Sequence, residues 1–313
     1  MTDFGALDGL QGRDRAEVRV RGKTVTLTNL RKVFWPDSGL TKFDLLRYYL
    51  RIAPVLLPHL AGRAMVMKRY PNGIAGHFFF MKRTPSARPP WLETCSIPHA
   101  SGSVIDFPVI SCPAALLWVV NLGCIDLNPW YARCDDVNRP DYLHFDLDPV
   151  PGAGFTEVRQ AALVLREELD RIRLRPFVKT TGSRGLHVYI PIVRGPLQKE
   201  VWTVARDLTR RLATRHPDLI TAEYRKAKRP TGHVLVDYNQ NVWGRTLASV
   251  YSIRPRPAAP VSTPVTWAEV ERGFDMEDFR MENVPDRVSE IGDLWKPLHS
   301  PRGRCRLEPL LAA

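Results

Sequence analysis

The chain has 313 residues, of which 44% are hydrophobic, enough to bury a sizeable core in one large domain or in two interdependent lobes. Its 45 Lys and Arg residues outnumber its 33 Asp and Glu residues, and the resulting net charge of +12 favours a polyanionic partner such as nucleic acid. The most apolar run, residues 114–120, is too short to cross a bilayer, and residues 1–5 do not resemble a signal peptide, so we expect a cytoplasmic protein with no membrane partner.

Two kinds of periodicity divide the chain into predicted strands and helices. Alternating or β-branched apolar runs predict strands over residues 17–21, 24–28, 64–70, 77–81, 142–149, 176–180, 186–192 and 234–238. Apolar residues at helical spacing predict helices over residues 114–122, 155–172 and 198–215, and a short helix near Trp267. An earlier helix should begin after Thr41, an N-cap residue, and continue up to a break at Pro54.

The order of these elements predicts an α/β (α+β) fold. After residue 142 strands and helices alternate, which indicates a mixed sheet with helices packed against one side. No internal repeat or low-complexity tail interrupts the chain, so we expect residues 1–313 to form one catalytic domain, built either as a single body or as two interdependent lobes. The proline-rich segment 254–265 should be extended and cross the surface as a strap.

Two acidic residues end the most informative predicted strand. The run Tyr142-Leu-His-Phe-Asp-Leu-Asp-Pro149 is apolar and aromatic, and because alternate side chains of a strand share a face, Asp146 and Asp148 should point the same way. Such a pair suits a hard divalent cation, although a solvated strand end before a proline gives the same pattern. A third acid, Asp237, ends the run 234–238, and three carboxylates can hold the two ions used in nucleotidyl transfer. The alternative role for Asp237 is to cap its strand.

A glycine-containing loop supplies the second chemical signal. Between two predicted strands lies Thr180-Thr-Gly-Ser-Arg-Gly-Leu-His187, whose glycines allow close backbone approach. Its backbone N–H groups, with the side chains of Ser183, Arg184 and His187, would suit a triphosphate. The alternatives are an ordinary hairpin turn and a structural histidine.

These motifs occur in a characteristic order. Asp146-x-Asp148, then Ser183-Arg-Gly-Leu-His187, then Asp237-Tyr-Asn-Gln-Asn241 resemble the three motifs of the archaeo-eukaryotic primase superfamily. The chain is more closely similar to the polymerase domain of bacterial end-joining DNA ligase D and its stand-alone relatives, from Leu27 to Glu269. The resemblance implies a primase-polymerase core with mixed and antiparallel sheets flanked by helices around an RRM-like palm.

The resemblance also implies an activity and its substrates. The enzyme would be a template-directed nucleotidyltransferase that extends primers, fills gaps and adds nucleotides at DNA ends, taking NTP or dNTP and preferring ribonucleotides. Two Mn²⁺ ions, or Mg²⁺ less favourably, would be held by Asp146, Asp148 and Asp237. The residues that would contact the nucleotide are Thr181, Ser183, Arg184, His187, Arg229, Gln240 and Arg254. A surface ion pair is the alternative for Arg254.

Further residues match DNA-contacting positions of the end-joining relatives. Lys32 and Lys42 fall where such relatives carry two lysines for a 5′-phosphate, although solvated lysines are common. Phe78 and Phe79 would stack on the template, while one or two rings of Phe78-Phe-Phe80 would serve the core. The basic run 225–229 is either a loop beside the DNA backbone or a solvated turn.

Two positions depart from the family pattern. Asn128 stands where relatives often have a histidine, which puts an imidazole contribution in doubt, and Arg184 replaces a frequent lysine while keeping the charge. The implied partners are gapped, primer-template and 5′-phosphorylated DNA, a Ku-like end-binding protein and a separate DNA ligase. We expect a monomer that associates with the bacterial nucleoid when bound to DNA.

Two other functions fit parts of the sequence. A metal-dependent phosphodiesterase, nuclease or sugar-nucleotide transferase would also use Asp146-x-Asp148, but it explains less of the 183–187 loop and the basic surface. A non-catalytic DNA-end adaptor would need only the lysines and aromatic residues. Retention of three acids argues against the adaptor, because buried unpaired carboxylates destabilise a protein by several kcal/mol when nothing neutralises them.

Overall fold

The structure, a computed structural model, describes residues 3–311, which divide into two compact units. The first unit contains the chain up to Trp130 together with Ala248–Val261 and Phe279–Gly292. The second contains Tyr131–Leu247, Ser262–Asp278 and the chain from Asp293. Each unit is thus built from several separate stretches of sequence. The expectation of one catalytic domain with interdependent lobes stays a prediction.

The strands and helices follow one another in short alternation. The strands are β1 (Arg15–Val20), β2 (Lys23–Thr28), β3 (Val33–Trp35), β4 (Leu40–Thr41), β5 (Met65–Arg69), β6 (Phe79–Met81), β7 (Thr94–Pro98), β8 (Val104–Pro108), β9 (Cys124–Pro129), β10 (Ala132–Arg133), β11 (Asp136–Pro140), β12 (Tyr142–Pro149), β13 (Phe177–Thr180), β14 (Leu186–Pro191), β15 (Ile220–Thr221), β16 (Val234–Asp237) and β17 (Pro264–Val265). The helices are α1 (Lys42–Leu60), α2 (Pro113–Asn121), α3 (Phe155–Arg171), α4 (Gln198–Arg215), α5 (Trp267–Arg272), α6 (Val284–Ile291) and α7 (Glu308–Leu311). Within residues 3–311, no helix combines the length and apolar character needed to cross a bilayer.

The first unit is organised around α1. Thr41 caps this helix as predicted, since its hydroxyl accepts from the N–H of Asp44 and the Asp44 carboxylate accepts from the N–H of Thr41 at 2.9 Å. The predicted end at Pro54 was wrong, because the helix continues to Leu60. Buried apolar residues recur on both sides of the proline, including Leu46, Leu56 and Leu60, so burial offsets the missing hydrogen bond.

A small sheet in the first unit carries several residues discussed below. Strand β5 pairs antiparallel with β6 on one side and with β9 on the other. The predicted strand over 77–81 is shorter than expected and begins at Phe79. The hairpin of β1 and β2 and the buried helix α2 agree with the sequence pattern.

The second unit is built on a six-stranded sheet in the order β15-β16-β12-β14-β13-β17. Neighbouring strands are antiparallel except for the parallel pair β15 and β16, so the sheet is mixed as predicted. Strand β12 has the bounds predicted from sequence, and its first six residues are buried. Helices α3 and α4 both pack against β12. A buried central strand gives the acids at its end a fixed backbone.

The proline-rich segment is only partly a surface strap. Pro257 is exposed, but the chain is buried from Ala259 to Val265. In the first unit the N–H of Val261 donates to the carbonyl of Phe279 at 2.8 Å, and the N–H of Met281 donates to the carbonyl of Ala259 at 3.0 Å. These hydrogen bonds compensate for burial of the backbone.

Candidate active site

Three carboxylates meet where β12 and β16 run side by side in the second unit. The antiparallel register places Asp146 directly opposite Asp237, and Asp148 follows two residues later on the same face of β12. Asp146 is 7% exposed, and the other two acids are half-buried. The structure therefore brings together the three acids that the sequence motifs single out.

The charges of these acids repel one another. The negative charge of Asp146 and burial together raise the pKa of Asp148 to about 7. Burial raises the pKa of Asp237, while the N–H of Asn239 at 2.8 Å and the Gln240 amide at 3.0 Å stabilise its ionised form. A divalent cation would remove this repulsion, so the donor set fits the oxygen-ligand chemistry of such an ion.

The 181–185 loop is closed by the side chain of Thr181 rather than left open. The hydroxyl of Thr181 accepts from the N–H groups of Ser183 and Gly185, both at 3.1 Å, and the N–H of Thr181 donates to the carbonyl of Gly185 at 3.0 Å. Three of the N–H groups expected to bind a phosphate therefore have internal partners. Ser183 is half-buried and Arg184 is exposed, so both side chains remain accessible to an anion.

Gly185 brings this loop against the acidic strand. A Cβ atom at this position would lie 2.0 Å from the carbonyl oxygen of Leu147 and 3.4 Å from the Asp148 carboxylate. The first distance is impossible for real atoms, so only glycine allows this approach. The positive charge of Arg184 lowers the pKa of Asp148, partly offsetting the effect of Asp146.

His187 lies beside the acids rather than at the loop tip. It is opposite Asp146 in the β12–β14 register, with 3.2 Å between its Nε2 and the Asp146 carboxylate oxygen. Its Nδ1 lies 2.6 Å from Nζ of Lys179 on β13. Sequence reasoning missed Lys179. A lysine inside the short apolar strand Phe177–Thr180 was the available signal, because buried lysines are rare.

Arg229 and Gln240 also lie with the acids. Gln240 donates to Asp237, and the charge of Arg229 lowers the pKa of both Asp148 and Asp237. The Arg229 guanidinium is anchored by the carbonyls of Glu223 and Tyr224, both at 3.0 Å. The preceding residues 225–228, of which three are basic, are exposed.

A separate basic cavity of about 220 Å³ lies in the first unit and is lined by Lys32, Lys42 and Arg69. Lys42 is 4% exposed and donates to the carbonyl of Thr28 at 2.6 Å. Burial, followed by the charges of Lys32 and Arg69, lowers the pKa of Lys42 to about 8. The two predicted lysines are brought together, and Arg69, which sequence reasoning missed, adds a third cation. An anion would relieve their repulsion.

The three phenylalanines near β6 are exposed, so the assignment of one or two of them to the core was wrong. Phe78, Phe79 and Phe80 are 43%, 39% and 59% exposed. Nζ of Lys68 lies 4.4 Å from the ring centre of Phe78, and the guanidinium of Arg69 lies 5.1 Å from that of Phe79. Cations against ring faces form a surface suited to stacking bases.

Arg254 is fixed within the first unit. Its Nε lies 3.4 Å from a carboxylate oxygen of Asp126, which is 2% exposed. The pair is therefore not the surface ion pair considered as an alternative. Asn128, the departure from the family pattern, is buried and donates to the carbonyl of Asp126 at 3.0 Å. Sequence reasoning missed Asp126.

Comparison with known proteins decides the family. The family model described as LigD, primase-polymerase domain, matches residues 41–295. The chain belongs to this family. The chain is similar to the multifunctional non-homologous end joining protein LigD of Mycolicibacterium smegmatis, with 36% identity over 280 residues, 89% of this chain and 36% of the relative. The corresponding protein of Pseudomonas aeruginosa is 28% identical over 90% of this chain and 33% of its own length.

A solved structure supports the same conclusion about the fold. The polymerase domain from Mycobacterium tuberculosis ligase D in complex with DNA superposes with a TM-score of 0.83 at 32% identity, covering 88% of this chain and 98% of that one. The resemblance inferred from the motifs and the mixed α+β fold are both confirmed. This LigD-type domain is thus a nucleotidyltransferase whose family implies a divalent metal ion and a nucleotide substrate. The chain spans about a third of the length of the LigD relatives.

Gly185→Ala tests the close approach in this LigD-type domain. We expect the variant to unfold at a lower urea concentration, with a loss of roughly 1–3 kcal/mol, because the new methyl group overlaps the Leu147 carbonyl. Gly195→Ala is the matched control in the same unit. Its Cβ would meet only the Glu308 carboxylate at 3.5 Å, so its stability should change by about 0.5 kcal/mol or less. Equal stability of the two variants would contradict the geometry.

Asp148→Asn tests the repulsion among the acids. Because the folded state raises the pKa of Asp148, its ionised form destabilises the fold at about pH 8, and the neutral amide should raise the melting temperature. With a metal chelator present, we expect the melting temperature to rise by roughly 2–4 °C for each kcal/mol of repulsion removed. Asp135→Asn is the control. A hydrogen bond from Arg194 lowers the pKa of Asp135, so removing the Asp135 charge should not stabilise the fold. A lower melting temperature for Asp148→Asn would disprove the repulsion.

Proposed function

We propose that this chain is a template-directed polymerase that extends primers, fills gaps and adds nucleotides at broken DNA ends during end joining. The observation that carries the proposal is the register of Asp146 opposite Asp237, with Asp148 on the same strand and the 181–185 loop directly against it. Three buried or half-buried acids beside a loop with an accessible Arg184 match the needs of nucleotidyl transfer. Membership of the LigD primase-polymerase family supports the same reaction.

The three acids would hold two divalent ions, with Mn²⁺ preferred over Mg²⁺. When bound, such ions activate the primer 3′-hydroxyl and neutralise the charge of the phosphates. Asp237 is oriented for this role by the Asn239 N–H and the Gln240 amide. Nε2 of His187 lies 3.2 Å from the Asp146 carboxylate. These contacts hold the carboxylates in place before any ligand arrives, which lowers the reorganisation that binding requires.

The nucleotide would be bound by residues around the loop, with a preference for ribonucleotides. Thr181 shapes the loop through its hydroxyl, and Ser183 and Arg184 offer a hydroxyl and a guanidinium to the triphosphate. His187, Gln240 and Arg229 flank the acids. Arg254 belongs to the first unit, where it forms an ion pair with Asp126, and its proposed nucleotide contact rests on the family resemblance alone. The sugar preference rests on the family resemblance.

DNA is the proposed partner of the first unit. The related polymerase domain of Mycobacterium tuberculosis was solved in complex with DNA. In this chain, the cavity with Lys32, Lys42 and Arg69 fits a terminal 5′-phosphate, and the exposed rings of Phe78 and Phe79 fit template bases. We further propose that the protein acts as a monomer in the bacterial cytoplasm with a Ku-like protein and a separate DNA ligase.

A primer-extension assay tests the reaction. The purified protein is incubated with a primer-template, Mn²⁺ and a single nucleoside triphosphate, and we expect the primer to lengthen. Asp146→Ala and Asp237→Ala should each abolish extension, because each removes a proposed ion ligand, while DNA binding measured by fluorescence anisotropy stays within about twofold. Asp135→Ala, an exposed acid of the same unit, is the control and should extend normally. Primer shortening would indicate a nuclease, and a DNA complex without any product would indicate an adaptor.

Lys32→Ala tests the phosphate cavity independently of catalysis. We expect its affinity for 5′-phosphorylated gapped DNA to fall roughly tenfold, the effect of losing a charged hydrogen bond, and its affinity for unphosphorylated gaps to change little. The slope of log affinity against log salt concentration, measured on the phosphorylated gap, should decrease by about one, the contribution of one phosphate contact. Arg31→Ala removes the neighbouring exposed cation, which does not line the cavity, and serves as the control. Equal losses on both substrates would show that Lys32 makes a nonspecific contact.

A further inference from the structure

Lys179 is a fully buried lysine that the proposed reaction does not use. It lies in β13 with 0% exposure. Its ammonium group lies 2.5 Å from the Ser262 hydroxyl, 2.6 Å from Nδ1 of His187 and 6.0 Å from the ring centres of Tyr189 and Trp295. Burying an ammonium is costly unless its hydrogen atoms find partners. The Ser262 hydroxyl and Nδ1 of His187 provide such partners, so the ammonium group of Lys179 is held at a defined place in the fold.

Lys179, His187 and Asp146 form a row across three adjacent strands. The register of β13 and β14 places Lys179 opposite His187, and the register of β14 and β12 places His187 opposite Asp146. Directly opposed side chains of neighbouring strands share a face of the sheet. The imidazole thus lies between an ammonium group on one side and a carboxylate on the other.

The contacts of this row fit one consistent arrangement of hydrogen atoms. The hydroxyl of Ser262 donates to the carbonyl of Thr180 at 2.7 Å, so it accepts from Lys179. An ammonium group has no lone pair and must also donate to Nδ1 of His187. The hydrogen of the neutral ring is then on Nε2, 3.2 Å from the Asp146 carboxylate. The opposite tautomer would direct an N–H at the ammonium and a lone pair at the carboxylate.

We propose that Lys179 is a positioning residue that fixes His187 in the Nε2–H tautomer and so directs an N–H at Asp146. The inference rests on the proposed function in one respect, the role of Asp146 as an ion ligand. With the tautomer fixed, His187 holds the Asp146 carboxylate in one orientation. His187 is the residue directly behind the proposed ligand Asp146, and loss of such a residue typically lowers metal affinity or activity about 10- to 100-fold. Lys179 acts through His187, so its loss should have an effect at the lower end of that range.

Nitrogen-15 NMR of the histidine rings tests the proposal without any reaction. Long-range proton–nitrogen correlation spectra of labelled protein distinguish the two tautomers, and comparison with His187→Gln identifies the His187 signals. In the wild-type protein we expect the Nε2–H form. Lys179→Met keeps the side-chain length but has no donor, so His187 should populate both tautomers. Lys179→Arg keeps a donor and should restore the Nε2–H form.

Ser262→Ala is the matched control for the NMR experiment. It removes the second hydrogen bond of the ammonium but leaves the donor to His187, so the tautomer should remain as in the wild type. A wild-type spectrum with the hydrogen on Nδ1, or on both ring nitrogens, would overturn the proposal even if Lys179→Met did not fold. An unchanged tautomer in a folded Lys179→Met protein would also overturn it.

Binding of Mn²⁺ alone, measured by calorimetry, supplies the functional consequence. We expect Lys179→Met to weaken Mn²⁺ binding roughly 10-fold, the lower end of the range for partners of metal ligands, and Lys179→Arg to recover most of it. If the wild-type protein did not extend primers, the proposed function would fail while the spectra still decided the role of Lys179. If Lys179→Met kept the wild-type tautomer and Mn²⁺ affinity, the role of Lys179 would fail while primer extension still supported the polymerase.

Discussion

The repulsion among Asp146, Asp148 and Asp237 is the constraint around which the second unit is organised. Two antiparallel strands place these acids together, and the pKa of Asp148 rises to about 7 in response. The surrounding contacts moderate this repulsion without neutralising it. The N–H of Asn239 stabilises one carboxylate and His187 contacts another, while Arg184 and Arg229 act through their charges. Such a cluster destabilises the fold on its own and is stabilised by a cation, a trade-off typical of functional sites.

Backbone geometry determines how close the proposed nucleotide loop can come to these acids. Gly185 allows the loop to touch the carbonyl of Leu147, and the Thr181 hydroxyl closes the turn by binding two N–H groups. The loop is therefore preorganised rather than an open cradle of amides. Selectivity for an anion then depends on the accessible side chains of Ser183 and Arg184. Preorganisation of this kind reduces the entropy lost when a ligand binds.

The sequence pattern predicted those elements whose structure is determined by residues close together in the chain. The bounds of β12 and α4 followed from periodicity, and ordered motifs singled out the three acids. The end of α1 was missed because apolar packing beyond Pro54 overrides a local break. Arg69 and Asp126 were missed because their partners are distant in sequence, so no window of the chain displays the contact. Lys179 lies only eight residues before His187, and the overlooked local signal was a lysine within a short apolar strand. The exposed phenylalanines were assigned in part to the core because hydrophobicity alone does not distinguish a core ring from a stacking ring.

The basic cavity of the first unit follows the same physical logic with the opposite sign. Burial and the charges of Lys32 and Arg69 lower the pKa of Lys42 to about 8, as burial and Asp146 raise that of Asp148 in the second unit. The charged form of such a group is stabilised when a ligand of opposite charge binds, because the ligand shifts the pKa of the group back toward its ordinary value. A phosphate would do this for the lysines and a divalent cation for the acids. Like-charge repulsion in the unbound protein thus favours binding of the complementary ligand in each unit.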